Sequence, residues 1–233
     1  LDYTYLDRQV DACRKAIAQA CLDRDPNEVI LMAAIKSAEV EEINYIHRVL
    51  GVSYVGENRV QQLLARYDAL DREGLKIHFI GTLQTNKVKY IIDKVDMIQS
   101  LDSVRLAEEI EKQAAKIGKV MDVLIEINSG SEISKSGVAP EETRDFAHRI
   151  AGGAYPHIRL RGFMTMAPKS TEAEYRAIFG NTRRMCREIW AELPMAHEHM
   201  TLSMGMSESY VPAVMEGATL VRVGRSLFAR PEA

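Results

Sequence analysis

The sequence predicts an α/β protein closed as a single (β/α)8 (TIM) barrel, with an extra helix ahead of the first strand. Short apolar runs alternate with segments whose apolar residues recur three and four positions apart, from one end of the chain to the other. Eight such runs in 233 residues match the number and length that a parallel barrel with right-handed crossovers requires. Polar residues gather at the C-terminal ends of several runs, and no G-x-G-x-x-G turn follows an early strand. Both features favour the barrel over an open doubly wound sheet, which would place its polar residues at one crevice.

Taken in order, the apolar periodicity over 3–22 is that of an amphipathic helix, the extra one. "VILMAAIK" (29–36) is continuous enough to be a strand buried on both faces, and a helix over 40–50 follows it. "VSYVGE" (52–57) and "KIHFIG" (76–81) are the next strands, with helices expected over 58–72 and 86–92. "VDMIQSL" (95–101) and "VMDVLIEIN" (120–128) follow, with helices over 103–117 and 140–152. "IRLRGFMTM" (158–166), a helix over 171–193, "HMTLSM" (199–204), a short helix over 208–216 and "TLVRVG" (219–224) complete the set. No linker, low-complexity tract or repeat divides the chain, so 1–233 is expected to be one domain.

With 46% hydrophobic residues the chain has ample material for a core, and a net charge of −3 supplies no basic excess for nucleic acid or an anionic membrane. The apolar runs are far shorter than the ~20 residues that cross a bilayer, and "LDYTYLDRQV" lacks a signal pattern, so a cytoplasmic protein is expected. The first residue is not Met, and a few leading residues are expected to be missing. Cys13, Cys21 and Cys186 are odd in number and widely spaced, as reduced thiols are, with neither a disulfide framework nor a zinc site implied.

Set side by side, the strand ends bring a lysine, an asparagine, serines, glycines and an arginine to one barrel mouth, which suits a phosphorylated anionic small molecule. Lys36 ends the first run. A buried lysine loses charge and becomes a nucleophilic amine, whereas one that only marks a strand end snorkels to water, and the stretch alone admits both. "TLSMGMSES" places Ser203, Gly205 and Ser207 between a strand and a short helix, and "LVRVGRS" places Gly224 and Arg225 after the last strand. Hydroxyls and close-approach glycines in the last two strand-to-helix loops form a phosphate cradle, or two capped turns without a ligand. Arg222 alternates with Val221 and Val223, so it faces either the barrel interior and a ligand or an ion pair beneath a helix. "HFIGTLQTNK" and "INSGSEISKSG" are polar loops, the second carrying Lys135 as a solvated charge or a movable lid residue. His197 and His199 in "AHEHM" lack further ligands at fixed spacing, and the many methionines read as core filler.

Together, "AAIK", "VGENRVQQ", "HFIGTLQTNK", "NSGSEISKSG", "RGFMTMAP", "LSMGMS" and "LVRVGRSLF" resemble the pyridoxal phosphate homeostasis protein family, in order and from about Val29 to Phe228. The resemblance implies an alanine-racemase N-terminal-like barrel that holds pyridoxal 5′-phosphate (PLP) as a Schiff base, an internal aldimine, on Lys36. It further implies Asn58 beside the cofactor ring, Ser203, Ser207, Gly224 and Arg225 at the phosphate, and Arg222 facing the pyridine nitrogen. A guanidinium does not give up its proton, so the ring nitrogen would stay unprotonated and the cofactor would be a weak electron sink. Alanine racemases add a C-terminal domain that completes a dimeric site. This chain ends at Ala233, soon after the last strand, and is expected to lack that domain and to be a monomer.

Three departures from the family pattern stand out. Arg225 replaces a threonine or small residue, Ser209 replaces an aspartate, and "IKSAEVEE" lacks a proline. The implied function is PLP carriage and homeostasis, by buffering or delivery to apo-enzymes, with no catalytic residue assigned. The alternatives are a PLP-dependent amino-acid racemase of low activity and a metal-dependent barrel hydrolase using His197 and His199.

Overall fold

In the computed structural model, which describes residues 2–130 and 136–230, eight parallel strands close into a barrel in sequence order. They are β1 (Ile30–Ala34), β2 (Tyr54–Glu57), β3 (Lys76–Phe79), β4 (Met97–Leu101), β5 (Met121–Ile127), β6 (Ile158–Thr165), β7 (Thr201–Met204) and β8 (Leu220–Val223). Closure is made by β8 pairing with β1, with Met32 opposite Arg222 and Ala33 opposite Val223. Each expected strand is present, mostly trimmed at its ends. The first stops at Ala34, so Ile35 and Lys36 belong to the turn after it.

Strand alternation divides the apolar residues into two populations. A large cluster, including Val55, Phe79, Val123, Phe163, Val221 and Val223, lies between strands and helices. Two small clusters, Met32–Ile80–Leu220 and Met97–Leu124–Met164, are separate from it and fill the bore. A barrel of this kind is a packed core and not a pore, and its strands therefore carry apolar residues on both faces.

Helix boundaries follow local chemistry. In α1 (Thr4–Ala20) the buried Leu6, Val10, Cys13, Ile17 and Ala20 form one stripe, and the Asp2 carboxylate accepts from the Thr4 N–H at 2.9 Å. α2 (Val40–Arg48) starts where Glu42 reaches back to the Glu39 N–H at 2.7 Å, which sets the helix entry without a proline. The helix expected over 58–72 is shorter, because Asn58 and Arg59 stay outside it: α3 spans Val60–Arg66 and tightens into a 3-10 turn over Tyr67–Ala69. α4 is a single turn, Val88–Ile91, after a 3-10 turn at Thr85–Lys87. Ser103 caps α5 (Val104–Lys116), Pro140 opens α6 (Pro140–Ala151), and a Thr171–Glu174 capping box opens α7 (Glu172–Ala191). α8 (Tyr210–Met215) tolerates Pro212 in its first turn.

A single turn, α9 (Arg225–Phe228), follows β8 and is absent from the periodicity-based expectation. It is too short to cover the seam between β8 and β1. The helix read as extra does that work: α1 packs on α8, α9 and α2 and so takes the place of the eighth helix of the sheath. Side chains fasten it there. Tyr5 donates to the buried Glu42 carboxylate, which also accepts from Arg230, and Tyr45 donates to Asp7 at 2.8 Å. The three cysteines are free and buried.

Phe163 of β6 is fully buried and meets Trp190 of α7 edge-on, with ring centroids 6.4 Å apart. Phe163→Ala leaves a cavity in this layer and is expected to cost about 3–5 kcal/mol. Urea unfolding checks it: the midpoint falls while the denaturant slope stays at the native value.

Candidate functional site

The C-terminal ends of the strands open on a cavity of about 550 Å³. Lys36, Asn58, Ser207, Arg222, Gly224 and Arg225 line it, together with Ser37, Ile80, Met166, Lys169, Tyr175 and Met206. Six of the seven residues that the family resemblance assigns to the cofactor therefore meet on one concave surface. Ser203, the seventh, does not line it.

Of the two readings open for Lys36, the structure takes the accessible one. The run ahead of it buries Met32, Ala33 and Ile35, but Lys36 lies two residues past the strand and is exposed at the mouth. Its backbone approach is well fixed. The Ile35 carbonyl accepts from the Ala38 N–H at 3.1 Å and from Arg66 Nη1 at 2.8 Å. Arg66 in turn stands 3.7 Å from the fully buried Glu57 carboxylate, whose pKa is raised because burial outweighs Arg66 and the backbone N–H groups of Asn58 and Arg59. Asn58 is half-buried, and Gly81 passes so close to it that a Cβ there would lie 2.0 Å from the Asn58 carbonyl oxygen. That contact explains the glycine in "FIGT" as a requirement of the loop that flanks Asn58.

The last two strand-to-helix loops are joined directly. Ser207 Oγ accepts from the Ser226 N–H at 3.1 Å, and Glu208 pairs with Arg225 at 2.7 Å across the rim. Arg225 is thus held by a carboxylate at the surface. Ser209, which stands in place of the family's aspartate, is buried, and its hydroxyl accepts from the Met206 N–H at 3.1 Å, which ties the loop ahead of α8 to the helix start without capping it. Gly224 lets β8 end against β1: a Cβ there would meet the Ala34 carbonyl oxygen at 3.0 Å and the Ala34 Cβ at 3.3 Å.

Arg222 faces inward, in register with Met32 of the bore, and is buried. Its Nη1 donates to Ser203 Oγ at 2.6 Å and its Nη2 to the Thr165 carbonyl at 2.9 Å. Burial lowers its pKa to about 10, opposed by the Glu126 carboxylate, so it stays charged at neutral pH. The Ser203 hydroxyl is committed to this pair, since it also donates to Gln99 Oε1 at 2.7 Å. Ser203 belongs to β7 and not to the loop after it, which places its hydroxyl against Arg222 and Gln99.

Thr165 is among the strand ends that the sequence brings to the mouth, whereas Gln99 and Glu126 are the members that sequence reasoning missed. A glutamine inside the apolar run "DMIQSL" was the available signal. Glu126 is 2% exposed, accepts from Ser136 Oγ at 2.9 Å, and borders a neighbouring cavity of about 320 Å³. Lys135 lies outside the described residues. His197 and His199 are exposed, and among the described residues no group of three or more His, Cys, Asp or Glu is placed to hold a metal ion. No helix of the described residues is long and apolar enough to cross a membrane.

A closed eight-stranded barrel with a lysine after its first strand and an inward arginine on its last defines a class: residues 13–231 match the family model described as "Alanine racemase, N-terminal domain". A pyridoxal phosphate homeostasis protein of Aquifex aeolicus is 41% identical over 225 residues, covering 96% of this chain and 95% of that one. A structure of an unknown protein from Bifidobacterium adolescentis superimposes with a TM-score of 0.87 at 31% identity, covering 98% of this chain and 97% of the other. PipY of Synechococcus elongatus, in a structure with PLP bound, superimposes with a TM-score of 0.76 at 30% identity, over 93% of this chain and 99% of its own. The chain belongs to the pyridoxal phosphate homeostasis protein family.

Burial raises the Glu126 pKa to about 6, reinforced by Asp102 and opposed by the Ser136 hydroxyl and by Arg222. A carboxyl whose folded pKa exceeds its unfolded value destabilises the fold as it ionises, so the native protein loses stability between about pH 4.5 and pH 6. Glu126→Gln is therefore expected to gain about 2 kcal/mol over the native chain above pH 6. The gain should vanish by about pH 4.5, as read from urea unfolding across that range.

Proposed function

We propose that this chain binds pyridoxal 5′-phosphate covalently but reversibly in the cavity, and buffers it or hands it to apo-enzymes without robust catalysis. The observation that carries the reading is a single cavity joining the Lys36 amine to the Arg222 guanidinium, beside two loops bonded to each other through Ser207. The donor set fits the cofactor. An aldehyde needs an amine, which Lys36 would supply, and a phosphate needs polar turns with room for close approach, which Ser207, Gly224 and Arg225 would supply. Arg222 would face the ring nitrogen, with Asn58 beside the ring. Ser203 would act by holding Arg222.

When bound, pyridoxal phosphate supplies an aldehyde that captures amines and a ring able to withdraw electrons. Arg222 would limit the second property, because a charged guanidinium could donate to the ring nitrogen but would not protonate it. The names of the relatives and the PLP held by PipY support the cofactor assignment. Every group invoked comes from one chain, from the end of β1 to the turn after β8, and the carrier is proposed to act as a single-domain monomer. Its three free thiols suit the cytoplasm.

A second reading, a PLP-dependent amino-acid racemase of low activity, has Lys169 and Tyr175 in its favour, two further proton-bearing groups on the same cavity. Solvent-deuterium exchange at the α-carbon of a panel of amino acids separates the two, and rapid exchange would overturn the carrier reading.

Lys36→Ala is expected to abolish the visible absorbance that the native protein gains on mixing with PLP. Borohydride should likewise fail to fix the cofactor's mass on the variant. If the band and the mass increase survive, another lysine such as Lys169 carries the cofactor and the assignment of Lys36 is wrong.

A further inference from the structure

Four polar side chains cross the bore beneath the cavity: His78 of β3, Gln99 of β4, Ser203 of β7 and Arg222 of β8, between 0% and 5% exposed. They form a continuous hydrogen-bonded thread. His78 Nδ1 lies 2.9 Å from Gln99 Nε2, Gln99 Oε1 2.7 Å from Ser203 Oγ, and Ser203 Oγ 2.6 Å from Arg222 Nη1. Barrel closure does not require such a thread, since branched apolar side chains ordinarily fill this space.

The thread admits one polarity. A guanidinium only donates, so Ser203 Oγ accepts from Arg222 and gives its own proton to Gln99 Oε1. The amide nitrogen of Gln99 is then turned to His78, and Nδ1 must be an unprotonated acceptor. Gln99 also directs its amide nitrogen at Met32 Sδ, 3.8 Å away. Reversing the amide would leave the Ser203 proton without an acceptor in a site closed to solvent, at the cost of a buried unsatisfied donor. Burial, with Lys76 acting in the same direction, lowers the His78 pKa to about 4, which keeps the imidazole neutral as the thread demands.

We propose that Gln99 and His78 are positioning residues, which fix the Arg222 guanidinium through Ser203 and thereby set how tightly pyridoxal phosphate is retained. The inference rests on the reading that Arg222 faces the cofactor ring. Two anchors, Ser203 Oγ and the Thr165 carbonyl, define the plane of the guanidinium. Loosening the first lets it turn toward Glu126, the carboxylate that already attracts it. Gln99 and His78 touch no ligand in this scheme and act on Arg222 through two and three hydrogen bonds.

The test uses His78→Leu, Gln99→Met and His78→Asn, the last putting an amide oxygen near the place of Nδ1. Each full-length variant is loaded with PLP, and the absorbance maximum and the dissociation rate of the bound cofactor are measured, with thermal unfolding as the check on folding. His78→Leu and Gln99→Met are expected to shift the maximum and to release PLP faster, on the order of tenfold, while His78→Asn stays within about twofold of native. If His78→Leu does not fold, Gln99→Met, close to glutamine in volume, is read alone. Native spectra and rates in the folded leucine and methionine variants would overturn the proposal, as would His78→Asn behaving like His78→Leu. Those outcomes leave the carrier reading intact, whereas native protein that takes up no PLP would remove it.

Discussion

A charged arginine in the bore of the barrel is the constraint around which the rest is arranged. Moving a guanidinium out of water costs several kcal/mol unless its donors are met, and a barrel interior offers few acceptors. Here the acceptors are drawn from two other strands, the Ser203 hydroxyl of β7 and the Thr165 carbonyl at the end of β6. Glu126 of β5 adds an opposing charge. Each depends on its strand keeping register, since a shift of one residue would send Ser203 or Arg222 to the helix side. The apolar clusters of Met32, Ile80 and Leu220 and of Met97, Leu124 and Met164 occupy the remaining bore and close it to water.

That constraint connects to function through charge. In the proposed reading, an arginine kept protonated beneath the cavity would donate toward a bound ring without delivering a proton to it, which would favour holding an electrophilic cofactor over using it. The mouth is built differently. Lys36 is exposed, yet the turn that carries it is tied through Ile35 to Arg66 and through Arg66 to Glu57. An accessible amine on a firm backbone suits reversible capture of an aldehyde, and access is what a carrier needs to give its cargo away.

Much of this is legible in the sequence itself. Periodicity located all eight strands, and alternation around Val221 and Val223 left Arg222 with only two possible directions. Other features depended on closure. Ser203 and Ser207 lie four residues apart in one motif, but the first ends up inside β7 and the second in the loop, so a motif could not separate their roles. Gln99 was visible as a polar residue in an apolar run, but its partners lie on β3 and β7 and become neighbours only across the bore. The run up to Lys36 left burial and exposure both open, and the choice depended on where the strand stops, at Ala34. The first helix looked additional because its role as sheath over β8 and β1 follows from the shortness of α9, a property of the other end of the chain.

The proposed role of Arg222, to set the character of the bound cofactor, acts on a single atom and can be read there. Nitrogen NMR of pyridoxal phosphate labelled at the ring nitrogen and bound to the native protein reports whether that nitrogen carries a proton. A shift characteristic of an unprotonated pyridine, unchanged across the neutral pH range, is the predicted result. A pyridinium shift would contradict that role, because it would require an acid where the structure has a guanidinium.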